Sequence, residues 1–383
     1  MTMHIPEKFD AIRPFQPEEL PAAYDRLLAD EGFLAVIAYL YPGVPVEALA
    51  ARMRQCATNL DFQKTFCYGF LEQLLAKASR GCDIDVTAVD VTRRYTFVSN
   101  HRDIVLDSAL LDKLLIDAGF STTCEIAIGD NLLSLPWVKD LVRVNKSFIV
   151  ERSLQPRQML MASKLLSEYM HFAIADKNEN VWIAQREGRA KDSDDRTQPS
   201  ILKMMAMGGE GTPAERLRQL HIVPLAISYE YDPCDFLKAR EMQQRRDTDD
   251  FHKAPGEDVT SMRTGIMGFK GRIHYHCAPC IDAFLDTAAD LPKGEFFDAV
   301  AAHIDREIHA HYRLFPANYI ALDLLNGDDG HADHYTGDDK AFFLGYLKQQ
   351  LAKIDLPNPD VHFLRERMLT MYANPARNFL ALT

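Results

Sequence analysis

The chain has 383 residues, of which 47% are hydrophobic and 26% charged, and its formal net charge is −12. Such a length exceeds one ordinary core and predicts a large domain with a smaller one, in a globular, water-soluble class. The acidic balance excludes a general nucleic-acid binder, which needs clustered positive charge, yet allows one locally basic pocket for a small anion.

In chain order, residues 1–15 carry Pro6, Asp10 and Pro14 and no apolar signal core. Residues 17–28, 46–53 and 62–78 place apolar side chains at helical spacing, broken at Gly43 and Gly81. They predict a small helical N-terminal unit over residues 1–83. The longest apolar run, residues 33–41, is about half of the ~20 residues that a membrane span requires. A cytoplasmic protein is expected, with peripheral contact at the inner face of the membrane left open. The texture changes after residue 83. Residues 86–91, 95–99, 147–150, 181–184 and 221–229 read as strands, and 109–118 and 156–175 as helices. This alternation predicts an α/β domain over 84–383, a sheet flanked by helices. From Ile281 onward the pattern is mostly helical, with a polar loop at 326–339 expected to be mobile. The seven scattered cysteines suggest no disulfide framework.

Three strand ends carry chemistry. The first is Phe97-Val-Ser-Asn-His-Arg-Asp-Ile-Val-Leu-Asp107. His101 there follows the carboxyl end of a strand, where crevices form in open α/β sheets. A carboxylate beside it, Asp107 or Asp103, would hold the imidazole tautomer and stabilise the imidazolium of a general base. A surface turn with an incidental histidine explains this stretch alone equally well. The second, Asn145-Lys-Ser-Phe-Ile-Val-Glu-Arg152, ends a strand in Arg152. The third, Trp182-Ile-Ala-Gln-Arg-Glu-Gly-Arg-Ala-Lys191, turns at Gly188 and presents Arg189. One arginine is usually a solvated charge; two guanidinium forks and a base at successive strand ends suit a phosphorylated or carboxylated ligand.

Other readings fit less well. His101-Arg102-Asp103 imitates a kinase catalytic loop, but Ser108 stands where that loop needs Asn, and no Gly-rich loop or Asp-Phe-Gly occurs. No Gly-x-Ser-x-Gly elbow marks a serine hydrolase. Gly208-Gly-Glu-Gly211 follows a helix and reads as a loop. His274-Tyr-His-Cys-Ala-Pro-Cys280 has zinc-like spacing, but it alternates like a strand and no second Cys/His pair completes it, so no metal is expected.

Taken together, the stretches resemble the glycerolipid phosphate acyltransferase superfamily, which includes the glycerol-3-phosphate and lysophosphatidate (1-acylglycerol-3-phosphate) acyltransferases. Asn100-His101-Arg102 with Asp107 resembles its His-x4-Asp block. Ser147-Phe-Ile-Val-Glu-Arg152 resembles the second block, Glu187-Gly188-Arg189 the Glu-Gly-Thr-Arg block without its small residue, and Val223-Pro224-Leu225 the Val-Pro block. The helical N-terminal unit also resembles the soluble plastid members. One departure is that Leu106 occupies the usual Asp position, so Asp107, or else Asp103, takes the role.

The resemblance implies a mixed central sheet and an O-acyltransferase in phospholipid biosynthesis. His101 would be the base and Asp107 its partner. Arg152 and Arg189 would clamp the acceptor phosphate, helped by Lys146 and Lys191, with Asn100, Arg102, Glu187 and Gly188 in the same blocks. The donor would be an acyl thioester of acyl carrier protein or coenzyme A, met by Arg93, Arg94, Arg143 and Arg157. No cofactor is implied beyond that co-substrate. The acyl chain would lie against residues 159–170 and 202–207. An amino-lipid or other lipid acceptor, or a non-catalytic lipid-binding protein of the same fold, are the alternatives.

Overall fold

The computed structural model describes residues 4–133, 135–152, 154–254 and 256–382. Its centre is a sheet of β1 (Cys82–Asp85), β2 (Thr96–Ser99), β3 (Cys124–Gly129), β4 (Ser147–Val150), β5 (Asn180–Ala184), β6 (Ile222–Tyr229) and β7 (Ile273–Cys277), in the order β1-β7-β6-β2-β5-β3-β4. All pairings are parallel except β6 with β7, so the sheet is mixed. A mostly parallel sheet is covered on both faces, and its strands are apolar throughout rather than alternating. Every residue of β2 and β6 is buried.

The two-residue period still divides the side chains between two cores. Phe97, Trp182, Val223 and Leu225 meet Leu71 and Leu74 of helix Gly69–Ala78 and Leu110 and Leu114 of helix Leu106–Asp117. Val98, Val181, Ile183 and Ile222 meet Tyr169 and Met170 of helix Pro156–Ala175 and Ile304 and Ile308 of helix Lys293–Ala310.

The expected strand at 86–91 is absent. β1 lies earlier and pairs all four of its residues with β7, so the expected boundary between 83 and 84 falls inside a strand. Asp85 and Asp90 explain the difference. Each accepts from the backbone and hydroxyl of the threonine two residues on, Thr87 and Thr92, and such local turns compete with strand pairing. β3, unforeseen, buries Glu125 against Tyr169 and Lys177.

The N-terminal helices, Leu20–Leu28, Glu31–Leu40 and Val46–Gln55, share a core with Val144 and Trp137 of helix Pro136–Val144, which leads into β4. A π-helical turn, Gln63–Tyr68, follows helix Asn59–Phe62. From it Gln63 donates to Asp112 at 3.1 Å and accepts from Thr123 at 2.6 Å. At the other end, helices Gly337–Leu351 and Val361–Leu380 pack on helix Asp235–Asp247, and helix Pro316–Asn326 packs on those two. The 326–339 loop is held in place: buried Asp323 accepts from His331 at 2.7 Å and from Tyr335 at 2.8 Å. A carboxylate with that many donors anchors a loop that polar composition alone suggested was mobile.

Burial pushes the Asp112 carboxyl up to about 7. The folded state then keeps a proton between pH 4 and 7 that the unfolded state has released, so stability is lost as pH rises through that window. Asp112→Asn is expected to flatten the pH dependence of the urea-unfolding midpoint between pH 5 and 8.

Candidate active site

β2 ends at Ser99, and the chain passes Asn100 and His101 before helix Leu106–Asp117 begins. His101 Nδ1 lies 2.8 Å from Asp107 Oδ2. The same oxygen accepts the backbone N–H of Arg102 at 2.6 Å and of Asp103 at 3.0 Å. A carboxylate can only accept, so Nδ1 carries the proton and Nε2 keeps its lone pair. Asp107 is fully buried, while His101 retains 14% of its side-chain surface. The edge of the imidazole meets Trp182 of β5 at a centroid distance of 5.8 Å, and the indole N–H is fixed on Ser99 at 3.0 Å. Both sides of the ring are therefore set.

The choice between the two aspartates resolves for Asp107. Asp103 instead caps the helix, its Oδ1 accepting from Val105 at 2.9 Å and Leu106 at 2.8 Å. Burial, then the charge of Asp107, raises its pKa. The six-residue spacing works because residues 101–104 form an irregular loop before the first helical turn.

His101 lies in the wall of a cavity of about 1370 Å³, larger than the roughly 300–1,000 Å³ of ordinary small-molecule sites. Arg152, Arg186, Glu187, Gly188, Arg189 and Lys191 line it too. The three strand ends read from sequence thus converge on one space. Gly188 turns at a φ of +71°, a conformation glycine adopts without strain. Gly129 ends β3 beneath Arg152; a Cβ there would stand 2.8 Å from Arg152 Nε.

The cations differ in how they are held. Arg152 is 3.7 Å from exposed Glu187, a pairing of small consequence in water. Lys191 is paired with Glu241, and burial lowers its pKa. Arg189 has a buried Nη1, and Arg186 a buried Nε, without a hydrogen-bond partner. Other arginines with a buried, unpartnered Nε, such as Arg218 and Arg240, hold a carboxylate through another nitrogen. Among the described residues, no carboxylate pairs with Arg186 or Arg189. Buried guanidinium donors without partners are costly unless a ligand satisfies them. Arg186 was not singled out from the sequence, although it stands one position before Glu187.

Three expected contacts are corrected. Asn100 is fully buried and spends its amide on β6, donating to Ile227 O at 2.9 Å and accepting from Ile227 N at 2.8 Å. Arg102 turns away from the cavity into a bidentate pair with buried Asp195 at 2.9 and 2.6 Å. Lys146 is buried on Glu179 at 2.7 Å and Thr122 at 2.9 Å. None of the three lines the cavity; all serve the scaffold. Arg93, Arg94 and Arg143 precede β2 and β4 and so stand at the opposite end of the sheet. Arg94 and Arg143 are bonded to backbone carbonyls there. Arg157 is exposed on the first turn of helix Pro156–Ala175.

The apolar lining is also redistributed. Met159, Leu165, Leu166, Ile201 and Met204 contribute, but Leu160 and Met161 are exposed and Met170, Leu202 and Met205 lie in the core. Much of the wall comes instead from Phe33, Ile37, Leu40, Phe62 and Phe66 of the N-terminal helices. In β7, His274 and His276 face Asp83 and Asp85 of β1 while Cys277 points into the core, so that run is not one ligand set.

Residues 83–228 match the family model described as Acyltransferase. Over that segment the chain is similar to the Acyltransferase family. The matched segment holds His101, Asp107, Arg152, Arg186 and Arg189. No protein of curated function matches the sequence. Among solved structures, the 1-acyl-sn-glycerophosphate (LPA) acyltransferase PlsC from Thermotoga maritima is similar at 12% identity, over 76% of this chain and 94% of that one, with a TM-score of 0.39. Among the described residues, no helix is long and apolar enough to cross a membrane.

Arg102→Ala would remove the ion pair of buried Asp195 and leave it the Tyr312 hydroxyl as a side-chain donor. It is expected to lower unfolding free energy by about 3–5 kcal/mol, read as a shift of the urea midpoint.

Proposed function

We propose that the enzyme transfers a fatty acyl group from an acyl thioester of acyl carrier protein or coenzyme A to a hydroxyl of glycerol-3-phosphate or lysophosphatidate. The supporting observation is one cavity that joins a tautomer-fixed imidazole, two guanidinium groups without carboxylate partners and a long apolar wall. An amphiphile with one phosphate and one hydroxyl has the chemistry to satisfy all three.

In this reading His101 Nε2 takes the acceptor's hydroxyl proton as that oxygen attacks the thioester carbonyl. The tetrahedral intermediate collapses with cleavage of the C–S bond, and the departing thiolate takes the proton back from the imidazolium. Asp107 stays ionised and balances the imidazolium charge. Arg186 and Arg189, with Arg152 at the more exposed edge, hold the phosphate and so position the hydroxyl. The chain's residues supply base, charge and position, and the acyl thioester is the co-substrate.

Val36, Leu135 and Val259 both line the cavity and are exposed, by 36%, 49% and 66%. An apolar rim of this kind favours peripheral contact with a lipid surface, from which a lysophospholipid acceptor would enter.

His101→Ala is expected to lower kcat/KM by about 10²–10⁴-fold with an unchanged fold. Asp107→Asn, which donates where the carboxylate accepts, is expected to lower kcat into the same range. Product analysis by mass spectrometry with each acceptor and each carrier tests the assignment. If no acyl ester forms with any pair, the reading is wrong. Arg186→Ala and Arg189→Ala are each expected to raise the acceptor KM by about tenfold or more, since a charged contact is worth roughly 1.5–3 kcal/mol. Their urea midpoints should be unchanged or higher, because no internal ion pair is lost.

A further inference from the structure

A second cluster of reactive side chains lies at the far end of the sheet from His101. β6 and β7 run antiparallel with Leu225 opposite Cys277, so the chain leaving β7 returns to the start of β6. Ile281 N donates to Ile222 O at 3.0 Å. This brings Cys280 and Asp282, which follow β7, to His221, which precedes β6. A ring nitrogen of His221, Cys280 Sγ and a carboxylate oxygen of Asp282 all lie within 4.8 Å of one another. His221 Nδ1 is 2.8 Å from Asp282 Oδ2.

Two further features point to a ligand. Asp282 Oδ1 is buried and has no hydrogen-bond partner. His221 adopts a φ of +45°, a left-handed conformation that costs a non-glycine residue energy and persists where surrounding geometry holds it. A divalent ion deprotonates a coordinating thiol outright.

We propose that His221, Cys280 and Asp282 bind one divalent cation of the zinc class, with a fourth position open to water. The mixed nitrogen, sulfur and oxygen donor set is the one zinc accepts in tetrahedral sites, and a thiolate disfavours magnesium and calcium. Arg93, whose guanidinium lies 3.4 Å from His221 Nδ1, is exposed and moves to solvent as the ion enters. None of the three ligands lines the cavity that holds His101. The ion therefore pins the β6–β7 junction to helix Asp282–Ala288 and takes no part in acyl transfer.

Cobalt(II) is the probe, because it reports both geometry and thiolate ligation. Chelator-treated full-length protein is expected to take up one equivalent, with a sulfur-to-metal charge-transfer band in the near ultraviolet and d–d bands of a four-coordinate ion. One equivalent of zinc should displace it and raise Tm. Cys280→Ser should abolish the charge-transfer band. His221→Asn, which tolerates the left-handed backbone, should weaken cobalt binding at least about tenfold, and both variants should keep acyltransferase activity. Absence of a thiolate band in the wild-type protein overturns the proposal, as does a band that survives Cys280→Ser or an affinity untouched by His221→Asn. Should Cys280→Ser fail to fold, the wild-type spectrum and His221→Asn still decide.

Discussion

The site depends on a carboxylate that never meets solvent. Asp107 Oδ2 gathers two backbone amides and the imidazole of His101. The amides fix the carboxylate, the carboxylate fixes the tautomer, and Trp182 fixes the plane of the ring. The arrangement leaves Nε2, rather than Nδ1, for the cavity that His101 lines. Everything else in the sheet can be read as support for this arrangement. Asn100, immediately before the histidine, locks its loop to β6. Arg102, immediately after, locks it to Asp195. Three consecutive side chains point in three directions, and only the middle one reaches the cavity.

That alternation explains what could and could not be read from the sequence. Strand ends identified His101, Arg152 and Arg189, because a parallel sheet sends all its carboxyl termini to one edge. The same reasoning could not say which side chains near those ends would turn inward. Lys146 and Arg102 are cations in the right blocks, yet each has a carboxylate within reach on the scaffold side, Glu179 and buried Asp195, and pairing there removes them from the site. Arg186 was overlooked for the converse reason. Nothing in its own stretch marks it, and what sets it apart is that, among the described residues, no carboxylate pairs with it, which only the folded chain reveals.

The apolar half of the cavity was less legible. The Met- and Leu-rich helix Pro156–Ala175 has enough apolar surface to serve core, cavity and exterior at once, and periodicity cannot divide these faces. The N-terminal helices are legible as helical, but periodicity does not say whether their aromatic residues are core. Many are, in a core of their own, while Phe33, Phe62 and Phe66 face both that core and the cavity. The π-helical turn at Gln63–Tyr68 contributes here. Its wider winding re-phases the face that follows, a common use of such turns near functional sites.

The cavity wall thus has two origins along the chain. Base and guanidinium groups sit within residues 83–228, while much of the surface that would cradle a hydrocarbon tail precedes that segment. On the proposed function, reaction and tail preference are written on separate stretches of polypeptide. Substitutions in the leading helices can reshape the trough for a longer or branched tail without disturbing the imidazole, and such drift would leave the acyltransferase signature intact while the lipid it handles changes.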